Sequence, residues 1–225
     1  MFTTCVPTID QSLDFSVPTL SVLFGYNGCG KTEYTIQIIK QELMQGSNVI
    51  FITLDGEECI RNKFFRIIGD LSSYNNTLYI YAVGSFVPSS LDSLNSIIQN
   101  SIKENSKNIV VVDNIKLLRR LYYSKHAEEN QDSLYLFFLA LHRQYHCDIL
   151  LIYNCNKSSF LCARNHLQEG MYCLSDIPES LEKITDCVFS LYNKSPQAVL
   201  HDIRLMALKN RFGTVSQSPI EFSIK

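Results

Sequence analysis

The chain has 225 residues, 46% of them hydrophobic, with 20 Lys and Arg against 22 Asp and Glu, a formal net charge of −2 and a pI near 6.2. That length supports one sizeable core, read as a single domain over residues 1–225, and the charge balance excludes a protein that coats nucleic acid wholesale, though not a local basic groove. The opening segment carries Asp10 and Asp14 and no basic residue, no apolar run approaches the ~18 residues of a membrane span, and eight scattered cysteines form no CxxC pair, so the expectation is a cytoplasmic chain with reduced thiols and no membrane partner.

In chain order, "TLSVLFG" (19–25) is an apolar run ending in Gly and reads as a buried strand. "KTEYTIQIIKQELMQG" (31–46) follows with Ile36, Ile39 and Leu43 at helical spacing and Gly46 as a stop. "NVIFITLD" (48–55) is β-branched and apolar. "EECIRNKFFRIIGDL" (57–71) predicts a helix with Ile60, Phe64 and Ile67 on one face. "TLYIYA" (77–82) predicts a strand, and "SLDSLNSIIQNSIKEN" (90–105) a helix capped by Ser89 or Ser90. "NIVVVDN" (108–114) is a strand ending in an acid, "ENQDSLYLFFLALHRQYH" (129–146) a helix with Leu134, Phe138, Leu141 and Tyr145 in register, and "CDILLIYNCN" (147–156) a strand. Strands alternate with helices, and their continuous rather than alternating hydrophobicity predicts a mostly parallel sheet covered on both faces. "DCVFSLYN" (186–193), "IRLMALKN" (203–210) and "IEFSIK" (220–225) have little helix between them and predict extra antiparallel or mixed strands.

Between the first strand and helix lies "GYNGCGKT" (25–32), which satisfies Gly-x4-Gly-Lys-Thr in full. Glycines let backbone N–H groups turn toward phosphates, and the helix N-terminus adds its dipole. The nucleotide-binding segment therefore runs through Gly25, Tyr26, Asn27, Gly28, Cys29, Gly30, Lys31, Thr32 and Glu33, with Lys31 reaching the β- and γ-phosphates of ATP and the Thr32 hydroxyl on Mg²⁺. A strand–loop–helix context is what separates this pattern from a turn with a stray lysine.

Asp113 ends a buried strand, at the edge where open parallel sheets bind ligands, and is a second candidate for the metal. Asp55, at the end of "ITLDGEE", stands where an acid orients or deprotonates an attacking water. Glu57 and Glu58 are rivals, and both also suit the first turn of a helix as dipole partners.

With these parts in order, the chain resembles the RecA-like ATPase domain of the DnaB-type replicative helicases, from about Val6 to Lys225, and shares much of its plan with the RecA and KaiC relatives. "ITLDGEECIRNKFFRI" is similar to the family's strand–acid–helix segment, "VVVDNIKLL" to its Walker B strand, and "DILLIYNCNKS" to the strand ending in a polar sensor, here Asn154. "LSDIPESLEKITDCVFSLY" resembles the segment after the DNA-facing loop. "LMALKNRFGTVSQSPIEF" resembles the stretch with a Lys-x-Arg finger pair that reaches a neighbouring subunit's nucleotide, which implies Lys209 and Arg211, with Gly213 allowing a turn. Without the resemblance, "KNRFG" reads as a basic hairpin turn.

The resemblance also implies two single-stranded-DNA loops, at 116–130 and 155–176, carrying Lys116, Arg119, Arg120 and Lys125 beside Tyr122 and Tyr123, then Lys157 and Arg164. The same residues suit solvated loops or subunit contacts. His142 and His146 have the i, i+4 spacing of a metal pair but no third ligand, and read as a solvated helix end. Departures from the pattern are Asp55 for Glu and Asn154 for Gln, each a methylene short, Cys29 in the loop, and no room for an N-terminal primase-binding domain. Two functions follow: a Mg²⁺-dependent ATPase motor on single-stranded DNA, assembled as a homo-oligomeric ring or filament, or an ATP-binding regulatory or assembly subunit of a hetero-oligomer with weak turnover.

Overall fold

The computed structural model describes residues 1–14, 16–83, 90–125, 132–194 and 203–223. The elements are α1 (Pro7–Asp10), β1 (Leu20–Gly25), α2 (Lys31–Met44), β2 (Asn48–Gly56), α3 (Glu57–Ile68), β3 (Leu78–Val83), α4 (Leu91–Ser101), β4 (Asn108–Asp113), α5 (Ile115–Lys125), α6 (Ser133–Tyr145), β5 (Asp148–Asn154), α7 (Lys157–Asn165), α8 (Glu179–Ile184), β6 (Cys187–Asn193), β7 (Ile203–Asn210) and β8 (Ile220–Phe222). They build one eight-stranded sheet in the order β3-β2-β4-β5-β1-β6-β7-β8. The first six positions are parallel, and β7 and β8 close the edge antiparallel.

Parallel strands need both faces covered, and the residues alternate accordingly. Leu20, Val22 and Phe24 of β1 point into a core with α4 to α8, whereas Leu23 points into the opposite core with α2, α3 and the N-terminal segment. That N-terminal segment buries Phe2, Val6 and Ile9, and Asp10 accepts hydrogen bonds from Thr3 Oγ1 (2.6 Å) and Thr4 N (2.7 Å). Its lack of a long apolar period leaves no sequence sign of α1. At α4 the helix start is Ser90, in a reciprocal box with Ser93 (3.1 Å each way); the alternative cap Ser89 lies outside the described residues.

Both expected DNA loops carry helix instead. Residues 115–125 form α5 because Ile115 and Leu118 recur at helical spacing and bury, and α7 forms within 155–176 because Phe160 and Ala163 do the same. Residues 126–130 of the first loop lie outside the described residues.

Candidate functional site

Because β1, β2, β4 and β5 are parallel neighbours, their C-terminal ends open on one edge. In register there, Gly25 pairs with Asn154, Asp113 with Ile152 and Thr53 with Asp113. β2 runs on past Thr53 through a register shift against β3 to Gly56, which carries Asp55 beyond the β4 ladder. Sheet topology thus brings Gly25, Asp55, Asp113 and Asn154 to one line, although they are dispersed in the chain.

The phosphate loop leaves β1 at Gly25, where an added Cβ would lie 2.2 Å from the Leu191 carbonyl oxygen and 2.9 Å from Cys29 Sγ. Gly30, with φ at 95°, caps α2 in a left-handed conformation that a side chain resists. Lys31 is only 6% exposed; its ammonium donates to the carbonyls of Gly25 (3.0 Å) and Tyr26 (2.8 Å) and approaches Cys29 Sγ at 3.7 Å. Thr32 Oγ1 donates to Asp113 Oδ2 at 2.6 Å. Burial pushes the Asp113 carboxyl up, against the lowering effect of the Thr32 hydroxyl, and the charge of Asp55 adds to the rise. A desolvated carboxylate next to a hydroxyl, beside a backbone cradle with no room for a Cβ, fits Mg²⁺ and a polyphosphate. Thr32 and Asp113 could supply the hard oxygen ligands such a metal takes, and the loop from Gly25 to Glu33 could form the anion site.

Asp55 remains 47% exposed, with Oδ2 3.9 Å from Lys63 Nζ, which also lies 3.5 Å from Glu33 Oε1. Glu57 instead bonds Arg61 one turn on (2.8 Å), the placement of a first-turn acid, and Glu58 is exposed. Sequence reasoning misses Lys63. Nothing in its neighbours marks it, because its place depends on α3 packing across α2 beside the loop.

The expected finger residues stand elsewhere. β7 is antiparallel, with Lys209 opposite Val188 and Asn210 opposite Cys187, so its end lies where the parallel strands begin. That is one strand length, about 17 Å, from the phosphate loop. There Lys209 Nζ donates to Glu182 O (2.6 Å), and Arg211 Nη1 to Asp186 Oδ1 (2.6 Å). Burial, then Arg211, pull the Lys209 ammonium down. Gly213 serves close approach rather than a turn alone, since a Cβ would fall 1.9 Å from Ser12 O.

Of the expected DNA residues, Lys116 reaches Asn154 O (3.3 Å) and lies 5.3 Å from the Tyr153 ring centroid, and Arg119 lies 5.3 Å from that of Tyr135. Arg120, Lys157 and Arg164 are exposed. His142 is held by the Cys147 carbonyl (2.9 Å), and His146 is the left-handed cap of α6. Among the described residues, no helix is long and apolar enough to cross a membrane.

The sequence matches a family model described as "ATPase: KaiC" over residues 2–225, and no curated protein matches it. Solved structures with a similar fold include one described as an ATPase domain, with a TM-score of 0.70 at 14% identity over 91% of this chain and 81% of that one. A DnaB-like replicative helicase, described with its interactions with primase, gives 0.70 at 14% over 91% of this chain; the match spans 56% of that chain, just over half its length. The KaiC-like protein PH0186 of Pyrococcus horikoshii OT3 gives 0.68 at 17%, covering 95% of both. At these identities the structural likeness speaks to the fold, which is RecA-like. The family match runs over almost the whole chain and includes the loop at the sheet edge: the chain belongs to the KaiC ATPase family of the RecA/KaiC superfamily.

Proposed function

We propose that this ATPase domain binds and hydrolyses ATP with Mg²⁺ as a motor on single-stranded DNA, assembled so that each subunit completes its neighbour's site. The observation that carries the nucleotide part is the Thr32–Asp113 bond at the mouth of the phosphate loop. Lys31 exchanges the carbonyls of Gly25 and Tyr26 for phosphate oxygens, so the loop releases an internal tether when it takes the nucleotide. Thr32 and Asp113 hold Mg²⁺, which when bound neutralises phosphate charge. Asp55 orients the attacking water and accepts its proton, and Asn154, beside Gly25, reads the γ-phosphate. Arg211, with Lys209, meets charge that develops on the transferring phosphoryl group of the neighbour, a contribution of ~10³–10⁵ in rate where an arginine acts in trans. Arg120, Lys157 and Arg164 are the exposed cations for a DNA backbone.

A second reading is an ATP-binding regulatory or assembly subunit with weak turnover. It is favoured by Asp55, whose short side chain is drawn toward Lys63, since misplacement by about an ångström costs ~10²-fold. The deciding experiment is steady-state ATPase rate across protein concentration, with and without single-stranded DNA. A rate per subunit that rises with both supports the motor; clear ATP binding with a flat, near-zero rate supports the subunit.

A further inference from the structure

We infer that Asp186 is the positioning residue for the trans-acting cation, an inference that rests on the reading that Arg211 completes a neighbour's site. Arg211 carries a long side chain with many rotamers, and a guanidinium that must meet phosphate in another subunit needs a fixed root. Asp186, at the junction of α8 and β6, supplies one. Its side chain is 6% exposed, whereas that of Arg211 is 51% exposed. Oδ2 is fixed by the Leu20 N–H (2.9 Å), which leaves Oδ1 to take Arg211 Nη1 at 2.6 Å.

The backbone repeats the attachment: Arg211 N donates to Asp186 O (3.0 Å), and Asp186 N to Leu20 O (2.7 Å). Lys209 is anchored to the same junction through Glu182 O. Nε and Nη2 of Arg211 make no hydrogen bond among the described residues, so the fork keeps donors for a phosphate while one arm stays on Asp186. The carboxylate therefore holds the guanidinium at the surface without occupying all of it. His142 Nε2, 3.8 Å from Asp186 Oδ2, faces the other side of the carboxylate.

The test compares wild type, Arg211→Ala, Asp186→Asn and Asp186→Glu for ATP affinity, turnover, ATP-driven assembly by sedimentation and the guanidinium NMR signal of Arg211. Asp186→Asn is expected to leave ATP affinity unchanged, to lower kcat ~10–100-fold, to raise the concentration at which ATP drives assembly, and to lose the slowly exchanging Arg211 Nη signal. Excess Asp55→Asn subunits, which bind ATP and bring an intact finger but no group to take the water's proton, restore turnover to Asp186→Asn subunits. Full or raised turnover in Asp186→Asn while Arg211→Ala fails overturns the inference and leaves the trans reading intact. Loss that donor subunits do not rescue also overturns it, because the defect then lies within the subunit's own site or fold. Full turnover in Arg211→Ala overturns the trans reading itself. If Asp186→Asn does not fold, Asp186→Glu decides: it keeps the charge but displaces it by a methylene, and an unchanged kcat overturns the proposal.

Discussion

Asp113 and Lys31 carry opposite costs in the free protein. Lys31 is buried but satisfied by two carbonyls, so Lys31→Ala is expected to keep the fold and lose ATP binding by at least ~100-fold, as measured by titration with a fluorescent ATP analogue. Asp113 has its carboxyl raised by burial. A raised folded value means that its stabilising contribution is present below the ordinary Asp range near 3.9 and lost as pH rises through the raised value. Asp113→Asn keeps an acceptor for Thr32 and removes the buried charge. It is therefore expected to raise the stability of the nucleotide-free protein at neutral pH by about 1 kcal/mol, or ~2–4 °C in a thermal melt, while abolishing the Mg²⁺ dependence of ATP binding. If Asp113 holds Mg²⁺ as proposed, the same upward shift is expected to make Mg²⁺-ATP affinity fall, on acidification, at higher pH than for an ordinary carboxylate, which a binding titration across pH checks. The thiols divide by burial: Cys59, Cys162 and Cys173 are exposed, whereas burial pushes Cys147 and Cys187 up to about 12 and Cys155 to about 11. A thiol reagent is expected to label the three exposed cysteines in the native state and the buried Cys29, Cys147, Cys155 and Cys187 only on unfolding.

At the scale of elements, α7 supports the phosphate loop from outside the sheet. Tyr26 stacks on Phe160 with centroids 4.7 Å apart and planes at 21°, and Phe160 stacks in turn on Tyr192 of β6 at 5.8 Å. Phe160→Ala removes the middle of that stack. It is expected to cost ~3 kcal/mol and to weaken ATP binding without touching the nucleotide, which a denaturant melt and a binding titration on the same sample separate. The elements are legible in the sequence where each carries its own period: "NVIFITLD" and "NIVVVDN" are unbroken apolar runs, and 31–46 repeats every three to four residues. The loop expectation fails at α5 and α7, where the family resemblance outweighs the local spacing of Ile115 with Leu118 and Phe160 with Ala163.

Across the whole molecule, the phosphate loop and Arg211 lie at opposite ends of the strands, so no motion of one side chain lets Arg211 serve its own subunit's nucleotide. Under the motor reading, dilution below the assembly concentration is therefore expected to abolish turnover while ATP binding persists. Arg211→Ala in the assembled protein is expected to reproduce that loss, by ~10³-fold or more. Light scattering alongside the ATPase assay tests whether the two losses coincide.

By itself, the sequence determined the phosphate loop, the alternation of strands and helices, and the acids that end two strands, because contiguous residues carry those signals through fixed spacing and period. Only the tertiary structure decided that Gly25, Asp55, Asp113 and Asn154 share one edge, since that follows from strand order and parallel register between segments far apart in the chain. It likewise decided that Lys63 stands beside Asp55 and that Asp186 roots Arg211. Contacts of that kind depend on which helix packs across which strand, and a linear pattern of residue types does not record them.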